Sequence, residues 1–224
     1  MAATPFRLFG ADHLAALVTV ACVGALLCAA VRRGPGAAKA VRVGLAALLL
    51  ALTALTLAGW ARGGGLSIWD VLPLHLCDAA IFLAVLALLT LRPAACELLW
   101  FWAGGATALA MLTPDLPRGA PDWGFFSFFA LHGSVVIAAA VPPVGLRIRL
   151  RKGAPRRALL ATNAYAAVVA VVDLAFHRNF LYLREKPAAW TVLEWLGPWP
   201  VYLLACEVLA AGLFALLYLP FRER

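Results

Sequence analysis

Runs of about twenty apolar residues, separated by short polar or breaker-rich links, follow one another along nearly the whole sequence. A helix needs about 20 apolar residues to cross the hydrocarbon core of a bilayer, so each run has the length of one crossing. The pattern predicts spans near 12–31, 39–60, 70–91, 94–112, 122–141, 158–176 and 199–219. Breakers set the boundaries. Gly63-Gly64-Gly65 precedes Asp70, which reads as an N-cap with Pro73 tolerated in the first turn, and Arg92-Pro93 stops the same span. Thr113-Pro114 through Gly119 closes the fourth span, and Pro142-Pro143 closes the fifth. The expected fold is all-α: a polytopic membrane helix bundle of seven transmembrane helices, forming a single integral membrane domain over residues 1–224 with no room for a soluble one.

Composition agrees, since a chain with 64% hydrophobic and 13% charged residues lies outside the range of ordinary soluble domains. The net charge of +8 does not point to nucleic acid, because the nineteen Lys and Arg residues lie in the links, where membrane topology accounts for them. Thirteen of them fall on one side of the seven-span arrangement and six on the other. The positive-inside rule then places the N-terminus outside and the C-terminus in the cytoplasm of a multi-pass cell-membrane protein. Trp60, Trp69, Trp123, Trp190, Trp195 and Trp199 fall at the exterior boundary, where amphipathic rings favour the interface, with Trp100 and Trp102 as exceptions. The first apolar run ends in Arg32-Arg33 with no small-residue cleavage pattern after it, which does not fit a cleavable signal peptide. The five cysteines lie in or beside apolar runs and form no disulfide framework. Heavy use of Ala, Arg and Gly is what a high-GC bacterial genome produces.

Ionisable groups inside spans are costly and need a partner, a wet cavity or a functional reason. His75, Cys77 and Asp78 lie in the third span, His132 and Ser134 in the fifth, Asp173 in the sixth and Glu207 in the seventh. At 1.5 Å per residue, His75 lies about 8 Å, Asp78 about 12 Å and His132 about 15 Å beneath the exterior ends of their spans. The inner half holds little beyond Asn163. The expectation is one polar cavity among spans three, five, six and seven, open toward the outer leaflet. On a continuous helix His75 and Asp78 share a face, whereas Cys77 points away from His75, so a Cys77–His75 dyad needs a first turn distorted near Pro73 and the other pairing open to Cys77 is across helices with His132. Gly133, next to His132, permits close approach of another helix. Asp173 and Glu207 are candidates for ion pairs with Arg178 or Arg184, and the basic stretch 147–157 for contact with anionic headgroups.

The stretch Leu72-Pro73-Leu74-His75-Leu76-Cys77, together with Phe129-Ala130-Leu131-His132-Gly133, resembles the YwaF-like family of bacterial integral membrane proteins. Asn179 through Pro187, then Leu196-Gly197-Pro198-Trp199-Pro200 and the span through Glu207, resembles that family's C-terminal signature. The family is similar to a eukaryotic group of multispan proteins that transfer acyl groups to ether-linked phospholipids with a membrane-embedded cysteine and histidine. The resemblance implies a lipid substrate, phospholipid or lysophospholipid, and a thiolate that accepts the acyl group while histidine shuttles the proton. In the eukaryotic group the cysteine stands between the proline and the histidine, at the position of Leu74 here.

The leading expectation is therefore a lipid acyltransferase or acyl hydrolase with His75, His132, Cys77 and Asp78 in its site, needing no cofactor. Two alternatives stand beside it. His75, Asp78, His132 and Asp173 could serve as a mixed imidazole and carboxylate metal site of a seven-span hydrolase, although the His-x-x-x-His pair of that class is missing from the last span. The same cavity could also serve a transporter or channel, with Thr162 and Asn163 lining a cytoplasmic path; the sequence shows no internal repeat.

Overall fold

The computed structural model describes residues 5–64, 67–187 and 192–222; Gly65, Trp190 and Arg224, which entered the sequence reading, lie outside them. The described residues form α-helices joined by short 3-10 and π turns, with one isolated bridge between Pro5 and Arg118. In order these are α1 (Ala11–Ala30), α2 (Pro35–Arg62), the short α3 (Ile68–Val71), α4 (Leu76–Thr90), α5 (Pro93–Trp102), α6 (Ala108–Leu112), α7 (Trp123–Ala140), α8 (Ala154–Phe176) and α9 (Val201–Tyr218). A π turn at Ala103–Thr107 joins α5 and α6 into one rod, Pro93–Leu112, and a second extends α7 to Gly145.

Six of these helical stretches are long and apolar enough to cross a membrane: Ala11–Arg33, Pro35–Arg62, Pro93–Leu112, Trp123–Gly145, Ala154–Phe176 and Val201–Phe221. The third expected span, 70–91, differs. A continuous helix from Asp70 is replaced by the four-residue α3, a non-helical stretch at Leu72–His75 that is extended at both ends and turns at Pro73, and then α4, only 15 residues long. The cause is Pro73: its ring pushes Leu72 out of the α region, and it has no N–H to continue the ladder. Asp70 is accordingly not the cap of the long helix but the third residue of α3, in a reciprocal capping box with Ser67. His75 is the extended N-cap residue of α4, so arguments from helical spacing between it and Cys77 or Asp78 do not apply.

Short as it is, α4 is the centre of the bundle, packed against α2, α5 and α7. Ala80, Ala84 and Ala87 are fully buried along it, small enough to let neighbouring backbones approach where lipid offers no hydrophobic drive. Gly133 does the same for α7 and α1, since a Cβ there would meet Val20. Trp100 and Trp102, the two exceptions at the boundary, are inter-helix donors: their indole N–H groups reach Leu217 O at 3.1 Å and Thr162 Oγ1 at 2.8 Å.

Candidate functional site

A polar break inside a membrane bundle is tolerated only where protein or a cavity satisfies the freed backbone. Here both do. Pro73 O accepts from the Tyr165 hydroxyl at 2.8 Å, and Leu74 N donates back to Leu72 O. Beside the break lies a cavity of about 360 Å³ whose wall includes Thr56, Asp70, Pro73, Asp78, Ser127 and His132 among mainly apolar side chains.

His132 and Asp78 are the two chemical groups of that wall. His132 Nδ1 lies 3.0 Å from Phe128 O, a group that can only accept, so in the neutral ring the proton resides on Nδ1 and Nε2 keeps its lone pair. The ring stacks on Phe128 at 4.0 Å between centroids, which fixes its plane. Asp78, in the first turn of α4, is exposed to the cavity and makes no hydrogen bond or ion pair among the described residues. Asp70 sits at the rim, its carboxyl held below the usual range by the Ser67 backbone and hydroxyl, with Arg178 adding a smaller effect.

The other two expected site residues face elsewhere. His75 turns toward the segment after α8: its Nδ1 lies 3.4 Å from Leu181 N, and its ring packs 5.2 Å from Phe180 and 5.8 Å from Tyr182. Cys77 lies beside Thr107 of the π turn and near Tyr182, and neither it nor His75 belongs to the cavity wall. Asp78 is the link, because His75 remains within its electrostatic reach. The sequence-derived set thus divides into a cavity pair, Asp78 and His132, and a pair under the segment that follows α8, His75 and Cys77.

That segment is tightly built. Leu181 and Tyr182 both adopt positive φ, 55° and 56°, an uncommon state for side-chain-bearing residues. They are held by the Tyr202 hydroxyl on Tyr182 O, by Trp199 Nε1 on Leu183 O at 3.0 Å and by Phe180 N donating to Asp173 Oδ1 at 2.9 Å. Burial pushes the Tyr182 phenol up, with smaller effects from Asp115 and Cys77. Asp173 does not pair with Arg178 or Arg184 through its carboxylate; its second oxygen is buried without a partner, and Arg184 reaches only its backbone carbonyl. Glu207 accepts from Asn163 at 2.7 Å, and Thr162 is taken by Trp102, so the residues expected to line a cytoplasmic path are engaged with their own neighbours. Among the described residues, no three His, Cys, Asp or Glu side chains gather to hold a metal ion.

Two buried groups escaped the sequence reading. Glu97, placed in the half expected to be nearly apolar, is 5% exposed and receives Arg151 Nε and Nη2 at 2.9 Å each, Arg157 Nη2 at 3.0 Å and Arg151 N at 2.8 Å. These bonds hold the Arg151 guanidinium above its ordinary pKa. His13, fully buried, accepts from Phe9 N at Nδ1 and donates from Nε2 to Met111 O, each at 2.9 Å. The available signal was position: an acid one turn into a span within a chain carrying an Arg-rich link, and an Asp-His pair at the first turn of another.

Comparison with known proteins matches residues 8–218 to the TMEM164 family. An uncharacterised protein of Treponema pallidum (strain Nichols) is 31% identical over 220 residues, covering 97% of this chain and 90% of that protein. No solved structure matches. The chain belongs to the TMEM164 family, a family of multispan membrane proteins.

Proposed function

We propose that this YwaF-like chain is a lipid acyltransferase, or acyl hydrolase when water is the acceptor, with its site in the cavity beside the break in the third span. The observation that carries the reading is the pair lining that cavity: His132 with Nε2 free and Asp78 without a partner, in a wall otherwise suited to an acyl chain. His132 Nε2 takes the proton of an acceptor hydroxyl, and the resulting alkoxide attacks the ester carbonyl of a donor lipid. The carbon–oxygen bond to the donor's glycerol breaks, and the leaving alkoxide takes the proton back from the imidazolium, so atoms and charge balance. Asp78 orients the imidazole or the acceptor hydroxyl.

In a two-step variant His75 takes the Cys77 proton, the thiolate attacks the donor ester to form a thioester, and the leaving lysolipid alkoxide takes that proton; the acceptor hydroxyl then attacks the thioester, passing its proton through His75 to the released thiolate. It requires the thiol to turn from Thr107 toward the cavity. Seven crossings, with the N-terminus outside the cell membrane, belong to the same proposal: the non-helical Leu72–His75, which turns at Pro73 and so adds less than the about 13 Å of a full strand, lengthens the roughly 22 Å of α4 toward a core about 30 Å thick.

The test is acyl transfer from a diacyl phospholipid to a lysophospholipid by purified protein in vesicles, with release of free fatty acid as the hydrolytic readout. Wild-type protein should catalyse one of these and His132→Ala should not; labelling by an acyl or fluorophosphonate-type probe is expected of the two-step route alone, which forms a covalent acyl-enzyme. No turnover, no labelling and an unchanged lipid profile in a His132→Ala strain would together sink the reading. A hydroxylamine-sensitive acyl-enzyme that vanishes in Cys77→Ser selects the two-step route; full activity in Cys77→Ser selects direct transfer.

A further inference from the structure

On the opposite face of α7 from the cavity, a groove of about 400 Å³ runs between α1, the α5–α6 rod and α7, lined by Leu17, Ala25, Cys28, Met111, Ile137 and Val144 among others. From Leu17 to Cys28 it extends about 16 Å along α1, close to half of the ~30 Å hydrocarbon core. Its length is therefore that of the acyl chain of one leaflet.

The groove ends at the basic side. Arg32, one helical turn beyond Cys28, sends Nη2 to Val144 O at 2.7 Å and Nε to Gly145 O at 3.3 Å, which pins its guanidinium over the end of the groove. Two of its five N–H donors are used in this way, which leaves three. Arg33 is adjacent, and Arg147 follows Gly145 by two residues; all three side chains are exposed and none forms an ion pair among the described residues. The contrast with Arg151 and Arg157 is informative, because these two arginines of the same basic link are consumed by Glu97.

We propose that this groove and the Arg32-Arg33-Arg147 cluster form a binding site for one anionic phospholipid of the leaflet facing the basic links, with an acyl chain in the groove and the phosphate on the arginines. Charge complementarity sets the headgroup, and groove length sets the chain. This site is separate from the cavity, and its occupant is a resident lipid rather than a substrate.

Native mass spectrometry of the full chain in detergent, titrated with dioleoylphosphatidylglycerol and separately with dioleoylphosphatidylcholine, tests it. The first phosphatidylglycerol should bind more tightly than the first phosphatidylcholine, by about fivefold per arginine engaged. Arg32→Gln with Arg33→Gln and Arg147→Gln should abolish the preference; the Arg33→Gln, Arg147→Gln double variant, which leaves the bonds of Arg32 intact, should reduce it. Ala25→Phe, which fills the groove, should weaken both lipids alike. Lys152→Gln with Arg156→Gln should leave the preference unchanged. Equal binding of the two lipids by wild type, a preference that survives the triple substitution, or an equal loss in the Lys152 and Arg156 control overturns the proposal. Displacement of the lipid by glycerol 3-phosphate alone also overturns it, because the site would then recognise phosphate without the chain.

Discussion

The two ends of α4 are built on opposite rules. At its C-terminal end three of the last four carbonyls have a donor: Leu91, in the left-handed region, returns its N–H to Ala87 O, and Arg42 reaches Leu88 O at 2.6 Å and Leu89 O at 3.2 Å. A cation at that end also meets the negative pole of the helix dipole. At the N-terminal end His75 supplies no side-chain cap, the preceding backbone is extended, and Asp78 projects into the cavity without a partner. Four histidines and acids sort in the same way, with Asp173, one oxygen bonded and the other unmet away from the cavity, between the two groups. His13 uses both ring nitrogens and Glu97 is fully clamped, whereas His132 uses one nitrogen and Asp78 none. In a medium that penalises every unmet polar group, satisfaction marks structure and an unmet group beside a cavity marks chemistry.

The comparison breaks most visibly at His132. His132→Gln keeps a hydrogen bond to Phe128 O within reach but removes the basic nitrogen, so the proposed acyl transfer should fall at least about 100-fold. The melting temperature in detergent should hardly move. A large loss of stability with activity retained per folded molecule would place His132 with His13, as structure.

At the closed end the signs reverse. Arg42→Met removes two charge-assisted bonds to carbonyls of the bundle's central helix and should cost about 2 kcal/mol, read from thermal or denaturant unfolding, while activity per folded molecule stays unchanged. Arg42→Lys should recover only part of the loss, since one ammonium cannot reproduce the fork that spans Leu88 and Leu89.

How far these ends could be read beforehand depends on what each feature needs. The apolar helices were visible because a crossing requires about twenty apolar residues in a row, and no other force hides that pattern. The break before α4 was also signalled, by Pro73, but proline is compatible both with a first helical turn and with an extended stretch, and the choice is settled by Tyr165, which lies 92 residues away and takes Pro73 O. Asp78 and His132 were legible as costly residues in spans, whereas the division that puts Cys77 beside Thr107 and His75 beneath Leu181 depends on the packing of the next helical rod and on the fold of a segment about a hundred residues downstream of His75. Glu97 was overlooked because the partners that make its burial tolerable, Arg151 and Arg157, lie in a link that charge counting assigns to the membrane surface.

Asp78→Asn sharpens the distinction at smaller scale. The carboxylate has no hydrogen-bond or ion-pair partner to lose among the described residues, so stability should change by less than about 0.5 kcal/mol or rise slightly as a charge leaves the apolar surroundings. Activity should fall about tenfold if the carboxylate orients the imidazole or the acceptor hydroxyl, which is the smaller share expected of a positioning group. A drop in melting temperature comparable to that of Arg42→Met would show that Asp78 is held by the bundle and would remove it from the site.

The smallest effect is expected at Leu91, where the closed end carries its one local cost. A leucine at φ 51°, ψ 26° is about 1–2 kcal/mol less comfortable than a glycine would be there, because its Cβ crowds the following carbonyl. Leu91→Gly relieves that strain but gives the unfolded chain about 0.5–1 kcal/mol more backbone freedom to lose. The side chain is only half-buried at the bundle surface, where lipid is as apolar as the protein, so its removal adds little. The net expectation is a gain of about 0.5 kcal/mol in unfolding experiments with no change in turnover. His75→Gly, at the other end, has no such strain to relieve, since φ there is −72°, and it discards a ring packed against Phe180 and Tyr182. If both substitutions stabilised the protein equally, the asymmetry between the two ends of α4 would not be a property of the helix.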